Sequence, residues 1–147
     1  MNTINKAAEK EDGKIPAKMM LSALWVTLMF LYIYADIFSL YKPGQMEEVM
    51  AGRMGPLPVT QSSLLMASVL TLIPALMVFL SLALKPRVDR WANIMLGVLY
   101  SAVNIGNLVG ETWAFYLFFG ILEMAITLLI VGYAWKWPNL EVKPDVK

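Results

Sequence analysis

The chain has 147 residues, is 59% hydrophobic, and carries 12 Lys and Arg against 11 Asp and Glu for a net charge of +1. It contains no cysteine and no histidine, which excludes disulfides, thiol catalysis, ordinary haem ligation and most zinc sites, so no cofactor and no metal are expected. Its lysines flank apolar runs instead of gathering into the clustered basic footprint of a nucleic-acid binder, so no nucleic acid is expected either.

The length suits one domain. Residues 1–18 read as a polar cytoplasmic tail, with Lys6, Lys10, Lys14 and Lys18 among Glu9, Glu11 and Asp12. A bilayer span takes about 20 predominantly apolar residues, and four runs qualify: 19–41, 61–84, 91–109 and 113–137. The first ends at Lys42-Pro43-Gly44, where proline lacks a backbone donor and glycine favours a turn. In the loop that follows, Gln45–Gly52 reads as a short interfacial helix and the Gly-Pro-Leu-Pro run as irregular. Thr60 is the expected N-cap of the second span, and Pro74 interrupts its middle. Small residues recur in that span at Ser63, Ala67, Thr71 and Ala75, and in the third at Ala102, Gly106 and Gly110. Such ridges let helices approach closely in lipid. Lys85–Arg90 reads as a compact basic turn, Trp135–Pro138 as an aromatic and helix-ending border, and residues 138–147 as a second polar tail.

The fold class expected is therefore all-α: a polytopic membrane protein whose four transmembrane helices form an up-down bundle of two hairpins within one domain, 19–137. With the N-terminus inside, ten Lys and Arg fall on the cytoplasmic side and only Lys42 and Arg53 outside. That bias places both termini in the cytoplasm, in a bacterial inner membrane.

Polar residues run along one side of each arm of the last hairpin. Tyr100, Asn104, Asn107 and Glu111 recur at spacings of four, three and four, and Trp113, Tyr116, Gly120, Glu123 and Thr127 at three, four, three and four. Residues three and four apart share a helix face. With Asp36 and Tyr32 of the first span, these stripes define the expected ligand- or proton-binding residues: Tyr32, Asp36, Tyr100, Asn104, Asn107, Glu111, Tyr116 and Glu123. A carboxylate inside a bilayer is costly and is normally offset by a partner, yet the spans hold no Lys or Arg before Lys136. Glu111 suits a wet position at the outer turn, Asp36 suits the outer interface or a bond from Arg53, and Glu123, ten residues into its span, suits a functional role. Trp25 and Met29, with Tyr32, suit a pocket wall or ordinary core packing, and core packing is the preferred reading.

The fragments Tyr32-Ile33-Tyr34-Ala35-Asp36-Ile37-Phe38, Arg90-Trp91-Ala92-Asn93-Ile94, Asn104-Ile105-Gly106-Asn107-Leu108-Val109-Gly110-Glu111 and Phe118-Phe119-Gly120-Ile121-Leu122-Glu123 together resemble a family of small, four-span bacterial integral membrane proteins, a domain of unknown function. The resemblance covers nearly the whole chain. It implies the four-span topology and no activity. A looser likeness to DoxX-like proteins rests on helix count and size.

Three functions compete. The first is an outward-opening pocket that binds or moves a small cationic or amphiphilic molecule, with protons exchanged at Glu123 or Asp36 and no catalysis. The second is an accessory subunit, or a homo-oligomer, in which the polar stripes join helices within a larger membrane complex. The third is a membrane acid–base enzyme, for which no nucleophile constellation speaks.

Overall fold

The computed structural model describes residues 15–55 and 57–137. Most of the first polar tail, the second tail with Pro138, and Pro56 of the Gly-Pro-Leu-Pro run lie outside the described residues. In chain order the elements are α1 Ala17–Ser39, α2 Gln45–Met50, β1 Arg53–Met54, β2 Leu57–Pro58, α3 Gln61–Ala83, α4 Pro86–Leu108 and α5 Ala114–Lys136. The two strands form a minimal antiparallel ladder in register Arg53 to Pro58. Everything else of length is helix.

The four long helices have 23 residues each, about 34 Å at 1.5 Å per residue, enough for a hydrocarbon core of about 30 Å. Length and composition qualify α1, α3 and α5 to cross a membrane. That is three helices and not the expected four. The exception, α4, begins five residues earlier than the apolar run at Trp91, so it takes in Arg87, Asp89 and Arg90, and it carries Asn93, Asn104 and Asn107 besides.

The helix ends follow local chemistry. Thr60 caps α3 as expected: its hydroxyl accepts from the Ser63 N–H at 3.1 Å, and the Ser63 hydroxyl accepts from the Thr60 N–H at 2.8 Å. This reciprocal box satisfies two of the donors that a helix start leaves open. Pro86 sits in the first turn of α4, where its missing N–H costs nothing and its fixed φ suits a helix. Asp89, in the same turn, favours the positive end of the dipole. The basic stretch read as a turn is thus a helix start, and Leu84-Lys85 alone makes the reversal.

Side-chain hydrogen bonds fix the helix directions. The start of α1 meets the end of α3: the Ser22 hydroxyl donates to the Val78 carbonyl at 2.7 Å, and the Lys18 ammonium donates to the carbonyls of Leu82, at 3.2 Å, and Leu84. Bonds from Ser101 to Thr127 and from Asn104 to Glu123 run α4 antiparallel to α5. The close pairings are α1 with α3, α1 with α5, and α4 with α5, whereas α3 and α4 scarcely touch. The core is Leu21, Leu24, Trp25, Leu28, Met77, Ile94, Tyr100, Ile130 and Ala134, gathered toward the Leu84-Lys85 end.

Two sequence expectations about packing are corrected. In α3 the residues that pack are Pro74, Met77 and Ser81, while Thr71 and Ala75 of the small ridge are exposed. In α4, Gly106 has open space where a Cβ would stand, and Gly110, at φ 83°, serves the turn and not an interface. The glycines that permit close approach are Gly97 and Gly120. A Cβ on Gly97 would lie 2.6 Å from Cγ2 of Val131, and one on Gly120 would meet the Leu108 side chain. In lipid an exposed side is as apolar as a packed one, so small size alone does not mark the contact face.

Pro74 has a consequence across helices. Without an N–H it cannot bond the carbonyl four residues back, which is that of Leu70. The Tyr100 hydroxyl of α4 donates to that carbonyl instead. This bond ties α4 to the middle of α3, beyond which α3 buries nothing.

Candidate functional site

The buried face of α4 is polar. Asp89, Asn93, Gly97, Tyr100 and Asn104 follow one another at spacings of four, four, three and four, and all five are buried. At the Leu84-Lys85 end, the Asn93 amide donates to the Asp89 carboxylate and to its backbone carbonyl, both at 2.8 Å. The Asn93 oxygen accepts from the Trp25 indole N–H at 2.7 Å and from the Ser81 hydroxyl at 3.4 Å. One asparagine thereby joins α1, α3 and α4. The second Asp89 oxygen has no hydrogen-bond partner among the described residues. Trp25 also meets Tyr100 edge to face, ring centroids 6.0 Å apart, so its expected place in the core holds.

Higher up stands Glu123, 7% exposed. Helix α5 buries Gly120, Glu123, Thr127, Ile130 and Ala134 on one face, which turns the carboxylate toward α4. There the Asn104 amide donates to it at 2.7 Å. The other Asn104 atom, its carbonyl oxygen, is buried with no partner among the described residues. Thr127, one turn below, accepts from Ser101 at 2.9 Å and donates to the Glu123 carbonyl at 3.0 Å. Among the described residues no Lys or Arg pairs with Glu123.

The remaining expected residues divide. Asp36 lies within electrostatic reach of Glu123 and Tyr116, and Tyr32 within reach of Glu123 and Tyr100. Asp36 itself is exposed, while Tyr32 and Tyr116 are half-buried. The charges of Asp36 on α1 and Glu123 on α5 thus bear on one another, the first side chain exposed and the second buried. Asn107 does not join them. It is exposed, because three residues past Asn104 the α4 surface has turned away from α5. Arg53 does not reach Asp36 either, and lies instead 3.8 Å from Glu48.

Glu111 lines a polar recess at the α4–α5 turn and is ion-paired there. It sits in the α4–α5 loop with its side chain 15% exposed, 2.6 Å from the Lys42 ammonium, and its other oxygen accepts from the N–H groups of Thr112 and Trp113, both at 2.9 Å. Desolvation works against its charge, but Lys42 and the two N–H donors outweigh it and hold the carboxyl below its ordinary value. Charge-assisted bonds of this kind are the stronger ones.

Sequence reading missed Asp89, Asn93 and Lys42. The first two were legible: stepping the Tyr100–Asn104 stripe backward by helical spacing reaches Gly97, Asn93 and Asp89. Lys42 had no such signal, since its partner is 69 residues away. Among the described residues no three carboxylates gather into a group able to hold a metal ion. The site offers a buried carboxylate bonded to an asparagine, and an exposed carboxylate within its electrostatic reach.

These features define a helical protein with apolar helices compatible with a membrane and a polar interior along one of them. The chain belongs to a family of unknown function, DUF6326, which matches residues 10–143. No curated protein and no solved structure matches it.

Proposed function

We propose that the protein is a multi-pass protein of the bacterial cytoplasmic membrane, both termini inside, in which α1, α3, α4 and α5 form one four-helix transmembrane domain around a polar site open to the outside. The site binds, and moves, a small cationic or amphiphilic molecule, with protons exchanged at Glu123 and Asp36. One observation carries the reading. A buried carboxylate, bonded by Asn104 and paired with no cation among the described residues, lies within electrostatic reach of a second carboxylate that is exposed. Leaving such a charge uncompensated in a bilayer costs on the order of 2.5–3.5 kcal/mol, and an arriving cation offsets that cost. The orphaned Asn104 oxygen adds an acceptor of the right sign. Because the buried polar face of α4 is bonded by Trp25 of α1, by Ser81 and the Leu70 carbonyl of α3, and by Glu123 of α5, its Asn93, Tyr100 and Asn104 need not meet lipid, and this supports counting it as a fourth span despite its composition.

Two measurements test this. A cysteine at Gln45 or Thr112 should react with an impermeant reagent on intact cells and one at the exposed Arg87 should not; the opposite pattern reverses the topology. Alkylammonium ions should raise the melting temperature of the purified protein, and by less in Glu123→Gln. Equal melting with and without every cation, together with co-purification of a fixed partner, would favour the accessory-subunit reading.

A further inference from the structure

Where α1 ends, the Lys42 ammonium lies among three aromatic rings, 5.8 Å from the centroid of Trp113, 5.6 Å from Phe115 and 5.1 Å from Tyr116. The Glu111 carboxylate closes the box at 2.6 Å. Ring faces carry negative quadrupole potential, and a box of them around a cation is the arrangement that recognises ammonium groups. Lys42 also divides two recesses. On one side Phe38, Tyr41, Trp113 and Phe115 line an apolar recess of about 380 Å³. On the other, Gln45, Glu48, Glu111 and Thr112 line a polar one of about 330 Å³.

We propose that this box is the outer receiving site for a hydrophobic ammonium ion, whose cationic head displaces the Lys42 ammonium from between Glu111 and the three rings and whose apolar body enters the recess on Phe38 and Tyr41. Lys42 is then a built-in competitor that fills the box when no ligand is present. The inference rests on the cation-binding reading above and adds to it a ligand class and a place of entry. Displacement needs no backbone change, because a lysine ammonium rides on a flexible four-carbon stem and has the polar recess, with Glu48, to move into. A lysine ammonium is strongly hydrated, whereas an alkylated head holds its water less tightly and an apolar tail gains from the recess. The exogenous ion therefore has two advantages over the tethered one.

The experiment is titration calorimetry of hexyltrimethylammonium into the full chain in lipid nanodiscs, with hexanol as the uncharged control. A box that Lys42 fills about nine-tenths of the time lowers apparent affinity about tenfold. Lys42→Met should therefore bind the ion about tenfold more tightly than the parent. Adding Glu111→Gln should undo the gain, and hexanol should not respond to either change. Unchanged or weaker binding by Lys42→Met would overturn the receiving site, and if Glu123→Gln then still abolished binding, the deeper cation site would stand without it. No binding by any form would sink both. Should Lys42→Met fold poorly, tryptophan fluorescence of the parent decides. A shift on adding the ion that is absent in Trp113→Phe supports the site, and an equal shift in both refutes it.

Discussion

The bond from Tyr100 to the carbonyl freed by Pro74 makes a quantitative demand on stability. Tyr100→Phe keeps the ring, and so its edge-to-face contact with Trp25, but removes the hydroxyl that meets the Leu70 carbonyl from α4. An orphaned buried acceptor costs about 1–3 kcal/mol. Cross-helix bonds in membranes average about 0.6 and reach about 1.7 kcal/mol in double-mutant cycles. About 1 kcal/mol is therefore expected for Tyr100→Phe alone. Pro74→Ala supplies the missing N–H, so the Leu70 carbonyl regains its helical donor and no longer depends on the tyrosine. In that background Tyr100→Phe should cost only a few tenths of a kcal/mol, leaving a coupling of about 0.5–1 kcal/mol between residues on different helices. Reversible unfolding in bicelles, measured on the parent, both single variants and the double variant, reads this directly. Additive effects, with Tyr100→Phe costing the same in the parent and in the Pro74→Ala background, would refute the claim that the proline creates the acceptor.

Two further outcomes follow from the same geometry. Gly97→Ala should destabilise by about 1–3 kcal/mol through overpacking, since its Cβ would press on Val131. Gly106→Ala, facing open space, should be neutral or stabilising by up to about 1 kcal/mol from helix propensity, and equal costs at the two sites in a melting assay would contradict the packing described. The Glu111–Lys42 pair should make stability fall on acidification. The folded carboxyl titrates below its ordinary 4.5, so its contribution is complete above that value and is lost as the pH falls through the lower folded one. Melting curves across that range should show the loss in the parent and its absence in Glu111→Gln.

Much of the architecture was legible because hydropathy and punctuation agreed. The helix expected to stop at Lys42-Pro43-Gly44 stops just before it, at Ser39, Thr60 caps one, and Gln45 opens the short loop helix, which closes at Met50. The start of α4 was not, because a run of charged residues looks like a turn unless Pro86 and Asp89 are weighed as first-turn residues. Which polar residues face inward was half legible. Spacing joined Tyr100 to Asn104, and Glu123 to Thr127, on faces that are indeed buried. The same spacing stepped backward reaches Asn93 and Asp89, but spacing alone could not tell that Asn107, three residues past Asn104, is exposed. The Lys42–Glu111 clamp lay beyond any local pattern and needed the packing of α1 against α5 to appear.

Exchange of a proton for a cation at the buried Glu123 is tested most directly by counting the protons released when hexyltrimethylammonium binds the nanodisc-embedded protein, by calorimetry in buffers of different ionisation heat. The parent should release protons on binding, in a number that varies with pH, and Glu123→Gln should fold equally well and release none. Binding with identical proton release in both, or no binding in either, would contradict the account.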